Sequence, residues 1–363
     1  MSKTYRVGIV GCGGIANGKH LPALAKLDNV ELVYFCDIIP ERAEKAAKQY
    51  GVEGALVTTD YKELVAADLD AVHVCTPNRS HCEISCAAME AGKHVMCEKP
   101  MAINAAEAKK MVEVCRKTGK TLTIGYQSRF MDSSEYVKAE AEDGFFGDVY
   151  MARAYAIRRR AVPTWGVFLN EYEQGGGPLI DIGTHALDLT LWTMDNYKPK
   201  YCVGTAYHKL NNDTQTGNAW GDWDPERFTV EDSAFGFIVM ENGATIILQS
   251  SWALNTSHSC EAKFALCGTK GGSEMYDGEL VLNTVKHGKQ VDITPRLDAK
   301  GVAFYDGKKE KPADKEARLF YEALDNGTDA RCKPEQALVV SQILEGIYIS
   351  AKTGQPYYFN EEK

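Results

Sequence analysis

No apolar run among the 363 residues is long enough to cross a bilayer, which takes about 20 consecutive apolar residues of helix. Nor does a charged, apolar and small-residue succession open the chain, because Met1-Ser2-Lys3-Thr4-Tyr5-Arg6 runs directly into the strand-like Val7-Gly8-Ile9-Val10. A cytoplasmic protein without a membrane partner is expected. Positive charge is in deficit: 41 Lys and Arg stand against 50 Asp and Glu, a net −9 with a pI near 5.5. Nucleic acid and anionic membrane want a basic field, so the charge argues against either as main partner, while a small anion in a local basic pocket stays compatible with it. The eleven cysteines contain no C-x-x-C pair. Cys12, Cys36, Cys75 and Cys97 fall at or near strand ends, and Cys82 and Cys86 share a helix face. That is the distribution of reduced, small apolar side chains, not of disulfides or a metal site.

What is present is a regular alternation of short apolar runs and helical patterns, in a chain long enough for two domains. Val7 to Val10 reads as a strand, Gly11-Cys12-Gly13-Gly14-Ile15-Ala16 fits G-x-G-x-x-G/A and opens a helix, and Val30 to Cys36 is the next strand, closing on Asp37. Gly11 makes the tight turn, Gly13 lets the backbone approach a pyrophosphate, and Ala16 lets helix and strand pack closely. The pyrophosphate would lie at the helix amino terminus, where N–H groups and the dipole favour negative charge. A glycine pattern alone is weak; following a strand, opening a helix and being answered by an acid 21 residues after Ala16 is the context it requires. Asp37 is expected to accept hydrogen bonds from ribose hydroxyls and to repel a 2′-phosphate, with Arg42 the nearest cation to offset that. NAD is therefore expected in preference to NADP.

The alternation continues through Pro40–Tyr50, Ala55–Val57, Asp60–Ala67 and the strand Asp70 to Cys75. Thr76-Pro77-Asn78 and the helix-opening Ser80-His81 suit cofactor ribose and phosphates, though turn chemistry alone also selects such residues. His73, flanked by valines in mid-strand, reads as a satisfied core histidine. The next run, Val95-Met96-Cys97, stops at Glu98-Lys99-Pro100 and is followed by a helical pattern from Asn104 to Lys117. This puts a charged pair at a strand's carboxyl edge, where open α/β sheets bind ligands. Pro100 biases Lys99 toward an extended backbone, so that it either faces a ligand or snorkels at the strand end.

After Thr121–Ile124 the strands become longer and alternating: Asp148–Ile157, Tyr201–Leu210, Val230–Met240, Ala244–Trp252 and Lys263–Cys267, with an Asn242-Gly243 turn signal between two of them. The expected fold is α/β: a doubly wound parallel sheet over residues 1–125, then a mostly antiparallel sheet domain over 126–363, whose last helix stays there or returns to the first. Ahead of the sheet's second strand lies Gly175-Gly176-Gly177-Pro178-Leu179-Ile180-Asp181-Ile182-Gly183-Thr184-His185-Ala186-Leu187-Asp188. The glycines permit unusual backbone angles or a close ligand approach, and Pro178 suits a first helical turn. Asp181 and His185, four apart, share a helix face; a carboxylate beside an imidazole orients it and favours its protonation, as a general base needs, and equally describes a plain ion pair.

Taken in order, the glycine loop, Glu98-Lys99-Pro100, Gly125-Tyr126-Gln127-Ser128-Arg129-Phe130 and the D-x-G-x-H-x-x-D run from Asp181 to Asp188 resemble the glucose–fructose oxidoreductase / inositol dehydrogenase / rhizopine catabolism family over nearly the whole chain. The resemblance implies a catalytic group of Lys99, Asp181 and His185, and oxidation of a secondary hydroxyl of a sugar, cyclitol or glycoside with NAD. It implies cofactor contacts from Gly11, Gly13, Gly14, Ile15, Asp37, Arg42, Thr76, Pro77, Asn78, His81, Glu98, Lys99 and Gln127. Substrate contacts are expected from Lys99, Tyr126, Arg158, Trp165, Asp181 and His185, with no metal. A large open sheet used for homodimer or homotetramer contacts is also implied.

Arg158-Arg159-Arg160 with Trp165, and Trp223-Asp224-Pro225 later, look like a subset acting on pyranosides and anhydrosugars. The arginines either hold an anion or form a solvated, partly paired turn, and Trp165, Tyr172, Trp220 and Trp223 offer a sugar an apolar face or serve as core and interface aromatics. Two rival activities are set against this one. An NAD-dependent glycosidase or lyase working by transient ring oxidation is disfavoured by the intact Lys99, and a non-catalytic dinucleotide sensor has no need of an acid/base set.

Overall fold

The computed structural model describes residues 3–213, 216–275, 279–297 and 310–359, and the chain separates into two compact units. The first comprises Met1–Phe130 and Glu310–Leu338, the second Met131–Lys309 and Val339–Lys363. Residues 310–338 thus leave the stretch 126–363 and group with the first unit. Among the described residues no helix is long and apolar enough to cross a membrane.

The first unit is a six-stranded parallel sheet of β1 (Tyr5–Val10), β2 (Val30–Cys36), β3 (Leu56–Thr58), β4 (Ala71–Val74), β5 (His94–Cys97) and β6 (Leu122–Ile124), in the order β3-β2-β1-β4-β5-β6. That order reverses between β1 and β4, and ligands of such sheets bind outside the strand ends at the reversal. The strands are near-continuous apolar runs because helices cover both faces. The helices are α1 (Leu21–Leu24), α2 (Pro40–Tyr50), α3 (Tyr61–Ala66), α4 (His81–Glu90) and α5 (Ala105–Thr118). Caps fit the sequence: the Asp60 and Asn104 side chains accept from Lys62 N and Glu107 N at 2.8 Å, and Gly119 at φ +65° ends α5.

The helix expected directly after the glycine loop is interrupted: Ala16–His20 is a π turn ahead of α1. Single π turns often mark functional positions; this one carries the buried Lys19 and His20. The core between β1, β2 and the helices, with Ile9, Leu24 and Phe35, also takes in Ala317, Phe320 and Tyr321 from a late helix. His73 is fully buried, with Nδ1 2.9 Å from His20 Nδ1 and Nε2 3.0 Å from the Tyr321 hydroxyl. It is a satisfied core histidine, and burial holds it well below its ordinary pKa.

The second unit begins with α6 (Asp132–Glu142) and is built on nine strands: β7 (Val149–Ile157), β8 (Pro199–Tyr207), β9 (Ser233–Met240), β10 (Thr245–Ser251), β11 (Cys260–Gly268), β12 (Gly271–Glu274), β13 (Val281–Lys286), β14 (Lys289–Ile293) and β15 (Tyr357–Tyr358). Their order is β14-β13-β12-β11-β7-β10-β9-β8-β15, antiparallel except for β7 beside β10. Two short helical segments, α7 (Glu171–Gln174) and α8 (Thr184–Met194), precede β8, and α9 (Pro312–Asn326) and α10 (Pro334–Thr353) follow β14.

Period-two alternation sorts the faces. Ala152, Ala154, Cys202, Ile238, Ile246 and Leu248 are buried, and α8 packs on β7 and β11. Gly204 and Gly236 carry no side chain because Ile347 of α10 sits where one would be, 2.6 and 2.5 Å from the Cβ position. The opposite face pairs Val203 with Phe237 and Phe237 with Ile247, and Val203, Tyr207 and Phe237 are exposed there.

Candidate active site

In the first unit the glycine loop follows β1. Gly11 has φ +89°, and a Cβ there would meet the Cys75 carbonyl oxygen at 2.6 Å, so both the turn and the approach of β4 demand glycine. At Gly13 and Gly14 a Cβ would point into open space. That is the side from which a pyrophosphate can reach the backbone, so the loop fits a dinucleotide. Ile15 is exposed beside it.

Asp37 is nearly buried; its Oδ2 accepts from Cys12 N at 2.8 Å and its Oδ1 from Ile39 N at 2.9 Å. The carboxylate thus ties β2 to the glycine loop, and each oxygen retains acceptor capacity for a hydroxyl. Arg42 is exposed in the first turn of α2. Across the reversal, the Ser80 hydroxyl donates to that of Thr76 at 2.8 Å, Asn78 is buried and Pro77 exposed. His81 lies with Nδ1 2.8 Å from the Pro100 oxygen and Nε2 2.9 Å from the Thr76 oxygen. Burial lowers its pKa against the pull of those carbonyls, and it braces the loop after β4 against Pro100.

After β5, Glu98 is buried while Lys99 is half-buried, and the Lys99–Pro100 bond is cis. Glu98 Oε1 receives Lys19 Nζ at 2.7 Å and His20 Nε2 at 2.7 Å, and Oε2 accepts from Lys99 N at 3.2 Å. Lys19 also reaches Glu316 at 2.8 Å. Burial would raise the Glu98 pKa, but Lys19 and His20 more than offset it and hold it well below the usual range. For Glu316, burial dominates and pushes the pKa up, with Glu98 adding to it and Lys19 opposing.

A carboxylate only accepts, so His20 donates through Nε2. When His73 Nδ1–H donates to His20 Nδ1, His73 Nε2 accepts from the Tyr321 hydroxyl. Every member is then satisfied, and Glu98 is the anchor of the peptide carrying Lys99. Tyr126 is buried just after β6, and the half-buried Gln127 opens a 3₁₀ turn to Phe130.

In the second unit Gly175, at φ +78°, ends α7. Gly176 and Gly177 owe their identity to neighbours within the protein, not to a ligand: a Cβ would stand 2.2 Å from the Tyr348 hydroxyl and 2.3 Å from the Glu231 oxygen respectively. The buried Glu231 carboxylate accepts from Gly177 N at 2.8 Å, Leu179 N at 3.1 Å and the Tyr348 hydroxyl at 2.7 Å. Burial outweighs those bonds and raises its pKa. It fastens the start of a second π turn, Leu179–Gly183, which runs into α8.

Asp181 lies in that turn, with Oδ2 accepting from Trp252 Nε1 at 3.0 Å and Arg158 Nη1 3.9 Å away. His185, four residues on in α8, is half-buried. Arg158 makes a two-pronged contact with Glu261, at 2.5 and 2.6 Å, and Arg160 meets Asp213 at 3.1 Å. Two of the three adjacent arginines therefore engage carboxylates of the protein. The Arg158 guanidinium also lies over Trp220, 5.4 Å from its ring centre, and Trp220 meets the exposed Trp165 edge-to-face at 4.9 Å. Trp223 is buried, donating to the Asn211 oxygen at 3.1 Å.

Lys19, His20 and Glu316 around Glu98, and Glu231, Trp252 and Glu261 around the Asp181 turn, were not foreseen from the sequence. Nothing local marks them: Glu231 stands next to Asp232, Glu316 next to Lys315, and Trp252 is uncharged, so their partners are set only by the fold.

Residues 5–126 match the GFO/IDH/MocA model described as an oxidoreductase family with an NAD-binding Rossmann fold, and 135–274 match the GFO/IDH/MocA C-terminal domain. The chain is 34% identical over 358 residues to D-glucoside 3-dehydrogenase of Escherichia coli K12, covering 97% of each. It is 32% identical over 199 residues to inositol 2-dehydrogenase of Salmonella typhimurium, 54% of this chain and 56% of that one. The fold superimposes on levoglucosan dehydrogenase in complex with NADH and levoglucosan with a TM-score of 0.83 at 20% identity, covering 99% and 100% of the two chains.

Proposed function

The chain belongs to the Gfo/Idh/MocA oxidoreductase family, and from that premise we propose that it transfers hydride between NAD and a secondary hydroxyl of a pyranoside. The observation that carries the pyranoside is the likeness to D-glucoside 3-dehydrogenase over 97% of both chains, and the sequence contains Lys99, Asp181 and His185. When bound, NAD supplies the hydride acceptor. Gly13 and Gly14 leave room for its pyrophosphate at the backbone, and Asp37 accepts its ribose hydroxyls and disfavours a 2′-phosphate.

His185 takes the hydroxyl proton as general base. Asp181, fixed by Trp252 and flanked by Arg158, favours the protonated imidazole once it forms. Lys99, at the carboxyl end of β5, stabilises the developing alkoxide with its charge. Glu98 holds the peptide on which Lys99 stands. The exposed sheet face with Val203, Tyr207 and Phe237 joins copies of the chain into a homo-oligomer. The activity is tested by NADH formation from a panel of methyl pyranosides and free sugars, in native protein and in the His185→Ala and Lys99→Ala variants.

A further inference from the structure

We propose that a cavity in the second unit, lined by Trp165, Asn170, Asp222, Trp223 and Arg227, is a subsite for a second sugar ring, making the substrate a disaccharide or larger glucoside. This rests on the reading of the chain as a pyranoside oxidoreductase and extends it from reaction to substrate size.

The cavity holds about 490 Å³, within the range of small-molecule sites, about 300–1,000 Å³. It contains none of Lys99, Asp181 and His185, though Trp165 in its wall is one of the residues expected to meet substrate, and it is joined to Asp181 by contact. Arg158 stands 3.9 Å from Asp181 and lies over Trp220, and Trp220 packs on Trp165 in the cavity wall.

The walls are pre-formed by bonds between two loops. Asn218 accepts from Val162 N at 2.8 Å and donates to the Val162 and Gly221 oxygens, and the Thr164 hydroxyl donates to the Trp220 oxygen at 2.8 Å. Thr229 N and the Leu169 oxygen are 2.9 Å apart, and Asn211 donates to the Phe228 and Val230 oxygens. Against this frame Trp165 and Trp220 stay 52% and 44% exposed, a large aromatic surface suited to the C–H face of a pyranose. Asp222, Asp224 and Glu226 supply hydroxyl acceptors around the cavity and Arg227 a fork of donors. Three carboxylates against one arginine disfavour a phosphate or uronate and favour a neutral polyol.

The test is the ratio of kcat/KM for disaccharide glucosides of several linkages to that for methyl glucoside, with NAD. The native chain is expected to favour its best disaccharide at least tenfold. Val167→Trp, which fills the cavity, is expected to lower the ratio at least tenfold, and Arg227→Ala, an exposed side chain on the rim, severalfold. A native ratio of one or less, or a ratio unmoved by both variants, overturns the subsite while leaving the hydride chemistry standing. If no sugar is oxidised at all, the reading of the reaction fails, and calorimetric titration of the full chain with the same disaccharides decides the subsite alone. Binding by the native chain that Val167→Trp abolishes upholds it; no binding, or equal binding by both, overturns it.

Discussion

Lys19 Nζ lies 2.7 Å from Glu98 Oε1 and 2.8 Å from Glu316 Oε2, with all three side chains almost wholly withdrawn from water. One cation thus serves two carboxylates, and it joins the π turn after the glycine loop to the residue preceding Lys99. The ends of this cluster are nearly three hundred residues apart in sequence, so it forms only when α9 docks on the first unit. Burial of each ion costs several kcal/mol, and that cost is offset only while the partners are present.

Removing Lys19 strands the carboxylates. Lys19→Met is expected to destabilise the protein by about 3–5 kcal/mol, the usual loss on breaking a buried pair, read as the shift in urea midpoint at constant m-value. A loss under about 1 kcal/mol would mean that water or another cation already neutralises Glu98.

Acid sensitivity follows from histidines held neutral. Burial keeps His73 well below its ordinary value and lowers His94 to about 4. A depressed folded pKa contributes stability that is present above the unfolded value, about 6.5, and lost as pH falls below it, up to about 1.4 kcal/mol per pH unit for a fully buried group such as His73. Thermal unfolding at pH 7.5 and 5.0 is expected to show a larger loss for native protein than for His73→Gln. Equal losses would mean that His73 is charged in the folded state.

Cofactor choice is assigned to Asp37. The native enzyme is expected to use NAD with higher kcat/KM than NADP, and Asp37→Ala to narrow the difference by losing the ribose contact and the repulsion of a phosphate together. Because Asp37 also accepts from Cys12 and Ile39, the variant should unfold at lower temperature as well. Equal use of both cofactors by native protein would refute the assignment.

Assembly is assigned to the sheet face bearing Phe237, paired with Val203 and Ile247. Light scattering at micromolar concentration should give a multiple of the 40.0 kDa chain mass, and Phe237→Glu should shift it toward the monomer. A monomeric native protein would contradict this.

Much of the first unit was legible because its signals are local. The glycine loop, the acid after β2 and the proline after Lys99 are each read within a few residues, and period and turn chemistry placed most strands within two or three residues. The partners of those motifs were not legible, since Glu316 and Tyr321 reach the first sheet from α9. The glycines at 176 and 177 were expected to serve backbone angles or a ligand; Tyr348 and Glu231, distant in sequence, are what exclude a side chain there. Neither π turn is legible in the sequence, because an apolar pattern does not distinguish one extra residue in a turn.

The central claim is that His185 and Lys99 act on a pyranoside hydroxyl, and the rate of NADH formation from the best pyranoside tests it most directly. Loss of a positioned general base removes about 10²–10⁴-fold. His185→Ala and Lys99→Ala are each expected to lower kcat by at least the smaller factor, His185→Ala with little change in NAD affinity. The double variant should fall short of the product of the two losses, because groups acting as one unit are non-additive. Turnover within a few-fold of native in both single variants, on a sugar the native protein oxidises well, would contradict the account.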